Sequence, residues 1–304
     1  MKNTILLALL GTFEEKELDH LEKSIASSIY LKNRSLRNFF SLLRQFYPDF
    51  DDPKLADESL YGSIYPGKEF DETLLNEQTS LLFKITQEYL VESLLNARKR
   101  RKSSSGIGES RSKATLDLLE RRLECKAYHN INGKYLNHFV FRNILCTSVD
   151  LAEYKWAEEY IGKYAPQVKP GQEESIKNFA FAIIEYKKGN LEDSLEYVIT
   201  VEYDSFLLKA DFKRLNLLVF YELELYEEAK HFLEITGKYS LTTEEFYPAL
   251  KEEDDNFLYY YKLLLKSKYQ PDKGELEIGS RKLRSEEMVI QKPWLMHHFE
   301  KLAV

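Results

Sequence analysis

The residues best suited to chemistry lie between positions 125 and 146. Cys125 and His129 are four apart, hence on one face of a helix, and His138 and Cys146 follow. Four such ligands in so short a stretch would suit zinc. Their intervening gaps are three, eight and seven residues, whereas zinc knuckles and fingers use other spacings. A free cysteine more often serves as a small buried hydrophobe. No metal site is therefore expected, and whether the four converge depends on the fold. His297 and His298 are adjacent, so on a helix their rings point about 100° apart and do not share an ion easily. Cys125 and His129 could pair as nucleophile and base, but no cysteine-hydrolase signature surrounds them. The patterns GxSxG, HExxH, GxGxxG, and GxxxxGK followed by Ser or Thr are absent. Gly106-Ile107-Gly108 is a lone GxG in a serine-rich stretch with no strand before it. Acid pairs such as Glu227-Glu228 and Asp254-Asp255 read as solvated helix faces. The expectation is a protein that is no enzyme, with no catalytic residue, metal or cofactor.

Charge points instead to binding. From Arg98 to Lys126 there are ten basic and four acidic residues, a net of +6. From Leu151 to Tyr260 there are twelve basic and twenty-three acidic residues, a net of -11. A basic middle followed by an acidic stretch gives two surfaces of opposite preference. Arg98, Lys99, Arg100, Arg101 and Lys102 form an unbroken basic run that could contact phosphates, or could simply end a helix where cations suit the dipole. The tyrosines Tyr186, Tyr221, Tyr259 and Tyr260 are candidates for lining a partner groove, the alternative being repeat core.

The elements that would position these residues are helices. Only 12 Gly and 8 Pro occur in 304 residues, fewer turn residues than a β-rich fold needs. Hydrophobic residues make up 43%, enough for a sizeable core. Leu18, Leu21, Ile25 and Ile29 share one helical face behind a Thr12–Glu15 capping box. Leu36, Phe39, Phe40, Leu43 and Phe46 repeat the pattern up to Pro48. A turn at 49–53 and a short helix carrying Leu55, Leu60 and Ile64 precede Pro66-Gly67. Asp71 or Thr73 then opens a long helix through Leu75, Leu82, Ile85, Tyr89 and Leu94. The apolar run Ile5–Leu10 is shorter than the roughly seven to fifteen residues of a signal segment. No run reaches the roughly 18 apolar residues of a membrane span. With two cysteines and no disulfide framework, a reducing, cytoplasmic setting is expected.

After Ala114 a repeat emerges. Ala157, Ser194 and Ala229 recur at intervals of 37 and 35, as do Tyr154, Leu191 and Tyr226. An apolar helix precedes each copy, around Leu145, Ala182 and Leu217. The copy with Phe181-Ala182, then Tyr186-Lys187-Lys188-Gly189-Asn190-Leu191-Glu192-Asp193-Ser194, resembles the tetratricopeptide repeat: helix A, a Gly-Asn turn, and helix B opening on a small residue. The small residue lets two helices approach closely, and the glycine permits positive φ at a helix end. Glu224 takes the glycine's place in the third copy, and Val201 and Thr236 stand where a second alanine is usual. A capping box at Thr242–Glu245 opens a further helix. The expected fold is all-α: an N-terminal helical module over 1–97, a basic Ser/Gly-containing loop over 98–112, and over 113–304 a TPR-like α-solenoid of antiparallel helix pairs.

The layout resembles bacterial helical-repeat proteins, a resemblance that implies no reaction; the expected function is a non-catalytic interaction scaffold or adaptor for a protein or peptide, a basic one given the acidic repeats. One other resemblance stands beside it. Leu60, Tyr65-Pro66, Leu75, Ser80 and Leu82 are similar to the helix-turn-helix core of bacterial winged-helix regulators, which implies DNA binding. Phe83 replaces that family's arginine, and Glu72, Glu77 and Glu88 sit on the would-be recognition helix.

Overall fold

The computed structural model describes residues 2–27, 34–101, 109–129, 134–202, 208–237 and 248–303. The protein is all-α, and its described residues form fifteen helices and no strand. It divides into two compact units, 1–174 and 175–304.

The first unit contains α1 (Lys2–Leu10), α2 (Glu15–Ser27), α3 (Arg34–Arg44), α4 (Asp57–Ile64), α5 (Glu72–Arg101), α6 (Glu109–Glu124), α7 (His138–Asp150) and α8 (Tyr154–Tyr164). The long α5 is its pole: α1, α2, α3, α4 and α7 all pack on it. Leu75, Leu82, Ile85 and Leu90 of α5 are buried, and so are Leu18, Leu21, Ile25, Leu36, Phe39, Phe40 and Leu43 of the shorter helices. These are core positions of the helical periodicity, because one apolar stripe per helix must be hidden from water. Asp71 caps α5, its carboxylate accepting the Leu74 N–H at 3.1 Å. α7, after the basic run, packs on α5, which contains Arg98 to Arg101. The serine-glycine stretch 102–108 lies outside the described residues, as do Ile29 and the box at Thr242–Glu245.

The expected capping box at Thr12 is replaced by something else. The Thr12 hydroxyl donates back to Leu9 O at 2.7 Å, and the Glu17 carboxylate takes the Glu14 N–H at 3.0 Å. The reason is a buried cation. Arg122 of α6 donates to Thr12 Oγ1 at 3.2 Å, Thr12 O at 3.2 Å and Glu17 Oε2 at 2.6 Å, with its guanidinium 5.2 Å from the Phe13 ring centre. A buried arginine must have its donors met, so it recruits the helix junction that a local cap would otherwise use.

The second unit contains α9 (Glu173–Lys188), α10 (Leu191–Ile199), α11 (Lys209–Glu222), α12 (Tyr226–Gly237), α13 (Pro248–Tyr269), α14 (Lys273–Ser285) and α15 (Lys292–Ala303), α9 opening at the boundary. α10 packs on α11, α11 on α12, and α13, α14 and α15 on one another. Arg214 of α11 is buried and ion-paired with Asp211 of its own helix and Asp254 of α13. Burial opposes its charge, but the two carboxylates more than offset that and hold the guanidinium ionised.

The helix pairs α7–α8, α9–α10 and α11–α12 are joined by the same turn. Ala152, Gly189 and Glu224 adopt φ of 59°, 85° and 58°. The next N–H in each case reaches back five residues: Glu153 to Ser148 O at 2.9 Å, Asn190 to Glu185 O at 2.9 Å, Leu225 to Phe220 O at 2.8 Å. This left-handed closure satisfies carbonyls left open at the helix end. Ala157, Ser194 and Ala229 have no exposed surface. Ser194 donates its hydroxyl to Ala182 O at 2.8 Å, so α10 meets the α9 backbone directly there.

Candidate functional site

The four tyrosines singled out in the sequence have different surroundings. Tyr259 is 53% exposed, Tyr221 and Tyr260 are 3% and 1% exposed, and Tyr186 is partly buried against the core of the second unit. Phe257, Tyr260, Tyr261, Leu264 and Leu265 form the inward stripe of α13, and Tyr259 falls off it. Only Tyr259 of the four presents a mostly open ring; Phe246 and Tyr247 lie outside the described residues.

The buried ones lead to a polar-aromatic cluster that the sequence did not single out. Glu222, at the end of α11, accepts from Trp294 Nε1 at 2.6 Å and lies 3.0 Å from His298 Nε2, both on α15. Burial lowers the pKa of His298, and the Glu222 carboxylate only partly opposes this. The neutral imidazole therefore donates from Nε2, and one carboxylate oxygen clasps two donors from successive turns of a helix. Tyr221 fills the centre, its ring 5.2 Å from Trp294, 4.7 Å from His298 and 5.9 Å from Tyr261. Burial, then the neighbouring Tyr226 and Glu222, raise its phenol pKa. Tyr261 donates to Leu217 O at 2.7 Å, whereas the buried Tyr221 hydroxyl has no hydrogen-bond partner among the described residues. The clasp can fix α15 against α11.

Beside the clasp the aromatic wall opens toward solvent. Tyr221 and Tyr226 meet edge to face, 5.5 Å apart at 68°. The ammonium of Lys268, near the end of α13, sits over both rings, 5.3 Å from Tyr221 and 5.0 Å from Tyr226. Lys268 is exposed and Tyr226 partly so. Glu227 and Glu228 stand exposed in the first turn of the helix that Tyr226 opens.

In the first unit the Cys and His residues each have their own surroundings. Burial raises the Cys125 thiol. His129 is buried with Nε2 at 3.1 Å from Gln167 Oε1, and burial lowers its pKa. His138 stands in the first turn of α7, its pKa lowered to about 4 by burial and then by the Lys169 charge. Cys146 is half-buried in α7. Among the described residues no group of three or more His, Cys, Asp or Glu could hold a metal ion.

Arg98, Lys99, Arg100 and Arg101 end α5, and Lys102 lies outside the described residues. Gly62, Gly67 and Lys68 have the spacing of a phosphate loop, with Glu69 where a hydroxyl is needed. Gly62 lies inside α4, and the Lys68 ammonium rests 5.3 Å from the Tyr65 ring centre, so no phosphate cradle forms. No described helix is long and apolar enough to cross a membrane.

Comparison with protein families, curated proteins and solved structures gives no match.

Proposed function

We propose that the chain is a non-catalytic, cytoplasmic interaction scaffold or adaptor that binds a basic protein or peptide on a TPR-like surface. The observation that carries the reading is the common joint of its three helix pairs. Turn residue, backfolded hydrogen bond and buried small residue recur together at Ala152, Gly189 and Glu224, at the spacing of the sequence repeat. Helix pairs built to one plan present similar outward faces, as binding arrays do. The acidic charge supports the partner's sign. Glu192, Asp193 and Glu196 of α10 and Glu227 and Glu228 of α12 are exposed. An acidic rim steers and retains cationic partners, and its contribution falls with salt.

The test is titration of the full chain with labelled Lys/Arg-rich and Asp/Glu-rich peptides, followed by anisotropy. Saturable binding of the basic set, weakened by salt and by Glu192→Lys, Asp193→Lys, Glu227→Lys and Glu228→Lys together, is expected. Equal binding of both sets, or of neither, overturns the reading.

A second reading, a DNA-binding regulator with an N-terminal helix-turn-helix-like module, draws on the packing of α4 against both α3 and α5. The exposed Glu72, Glu77 and Glu88 of α5 count against it, since they would face phosphates. A mobility-shift titration with duplex DNA separates the two. Binding that falls steeply with salt and on neutralising Arg98 to Lys102 would favour the regulator.

A further inference from the structure

We propose that the corner formed by Tyr221 and Tyr226 is a binding site for alkylammonium cations, of the kind borne by lysine or methylated lysine side chains, with Lys268 as its internal occupant.

Two ring faces at 68° enclose a corner, and the Lys268 ammonium lies about equally over both, at 5.3 and 5.0 Å. A ring face is the negative end of the aromatic quadrupole, and two faces in a corner add their attraction for one cation. One wall is rigid. Tyr221 is buried, held edge-on by Tyr261, Trp294 and His298 behind it. The other wall, Tyr226, is partly open, so a ligand can reach the corner.

Carboxylates neighbour both rings in sequence. Glu222 is adjacent to Tyr221 in sequence and faces the donors of Trp294 and His298, not a cation. Glu227 and Glu228 follow Tyr226 directly. Among the described residues the Lys268 ammonium forms no ion pair with a carboxylate; its contacts are the two rings.

An exposed cation–ring contact is worth only about two- to fivefold in an equilibrium. An internal occupant held that weakly is displaced by an external cation that brings further contacts of its own. Methylation of the external cation helps, because a methylated ammonium is less hydrated and gives up less on entering an aromatic corner. The corner accepts such a cation whether or not the chain is a scaffold.

The experiment uses the full chain and tetramethylammonium as probe, read by saturation-transfer NMR on the probe's methyl protons. A trimethyl-lysine peptide and its unmethylated counterpart form a second arm, which separates a free small cation from a peptide side chain. Lys268→Ala vacates the corner at an exposed position, so the fold is retained. Saturable binding is expected, at least about threefold tighter in Lys268→Ala than in the wild type. Within the Lys268→Ala background, Tyr226→Phe keeps the ring face and retains binding, whereas Tyr226→Leu keeps bulk and loses at least about fivefold. Absence of saturable binding in Lys268→Ala by every probe overturns the proposal, and so does equal binding by the Phe and Leu variants.

Discussion

Replacing Gly189 by alanine isolates the energetics of the repeat joint. Its φ is 85°, and a Cβ added there would meet nothing within 4 Å. The substitution therefore changes backbone energetics without changing packing. An L-residue held in the left-handed region costs about 1–2 kcal/mol. Alanine also has less freedom to lose from the unfolded chain, which returns about 0.4–1 kcal/mol. The difference is a destabilisation of about 1 kcal/mol, or about 2–6 °C in Tm for chains of this class. The third copy reverses the sign. Glu224 is already held at φ 58° on an exposed turn, so Glu224→Gly should stabilise by somewhat under about 1 kcal/mol. Ala152→Gly, at φ 59°, should do the same in the first unit. Asparagine at 189 should fall between glycine and alanine, because it tolerates this conformation best of the other residues. Thermal melts followed by far-ultraviolet circular dichroism, with urea midpoints alongside, measure all four. A Gly189→Ala variant as stable as the parent, or a Glu224→Gly variant less stable, would refute the claim that the three helix pairs share one backbone joint.

Three further outcomes follow from buried groups. Arg214→Met removes the cation from buried Asp254 and half-buried Asp211, which should cost about 3–5 kcal/mol in urea unfolding; adding Asp254→Asn should recover a measurable part, and additive losses would show that the pair is uncoupled. Ser194→Ala removes the hydrogen bond to Ala182 O and should cost about 1 kcal/mol, whereas Ser194→Leu drives α10 off the α9 backbone and should cost about 3 kcal/mol or fail to fold; a tolerated leucine would remove the close-approach reading. His138 has a folded pKa of about 4, below an unfolded value of about 6.5, so its neutral burial contributes fully above about pH 6.5 and is lost as the pH falls toward 4. The contribution is at most about 3 kcal/mol, and His138→Phe should flatten the acid limb of stability against pH; an unchanged limb would assign it to other groups, such as His129 and His298, which are shifted the same way.

Local order was legible because it is written in local periods. The apolar stripes of α2, α3 and α5 hide Leu18, Leu21, Ile25, Leu36, Phe39, Phe40, Leu82 and Ile85, since a helix with one oily face has one way to avoid water. The spacing of Ala157, Ser194 and Ala229 marked three fully buried small residues, and at Ser194 the helix meets its neighbour's backbone, because side-chain volume sets helix separation. The same periodicity carried information about the tyrosines: Phe257, Tyr260, Tyr261, Leu264 and Leu265 share a stripe that excludes Tyr259. Composition alone, by contrast, made all of them equal candidates for a groove.

The rest depended on which helices meet. Glu222 is 72 and 76 residues from Trp294 and His298, Arg122 is 105 from Glu17, and Arg214 is 40 from Asp254. No local pattern specifies such pairs, because a buried charge is satisfied by any correctly placed partner. At Thr12 a tertiary partner overrode a valid local motif: a hydroxyl predicted to cap its own helix instead served a distant arginine. The sequence by itself determined the helices, the apolar stripes of α2, α3 and α5, and the spacing of the small residues. Only the tertiary structure decided that Tyr221 is a buried wall, that Lys268 lies over it, and that Glu222 meets Trp294 and His298 of α15. Periodicity fixes which face of a helix turns inward, and packing alone fixes what that face meets.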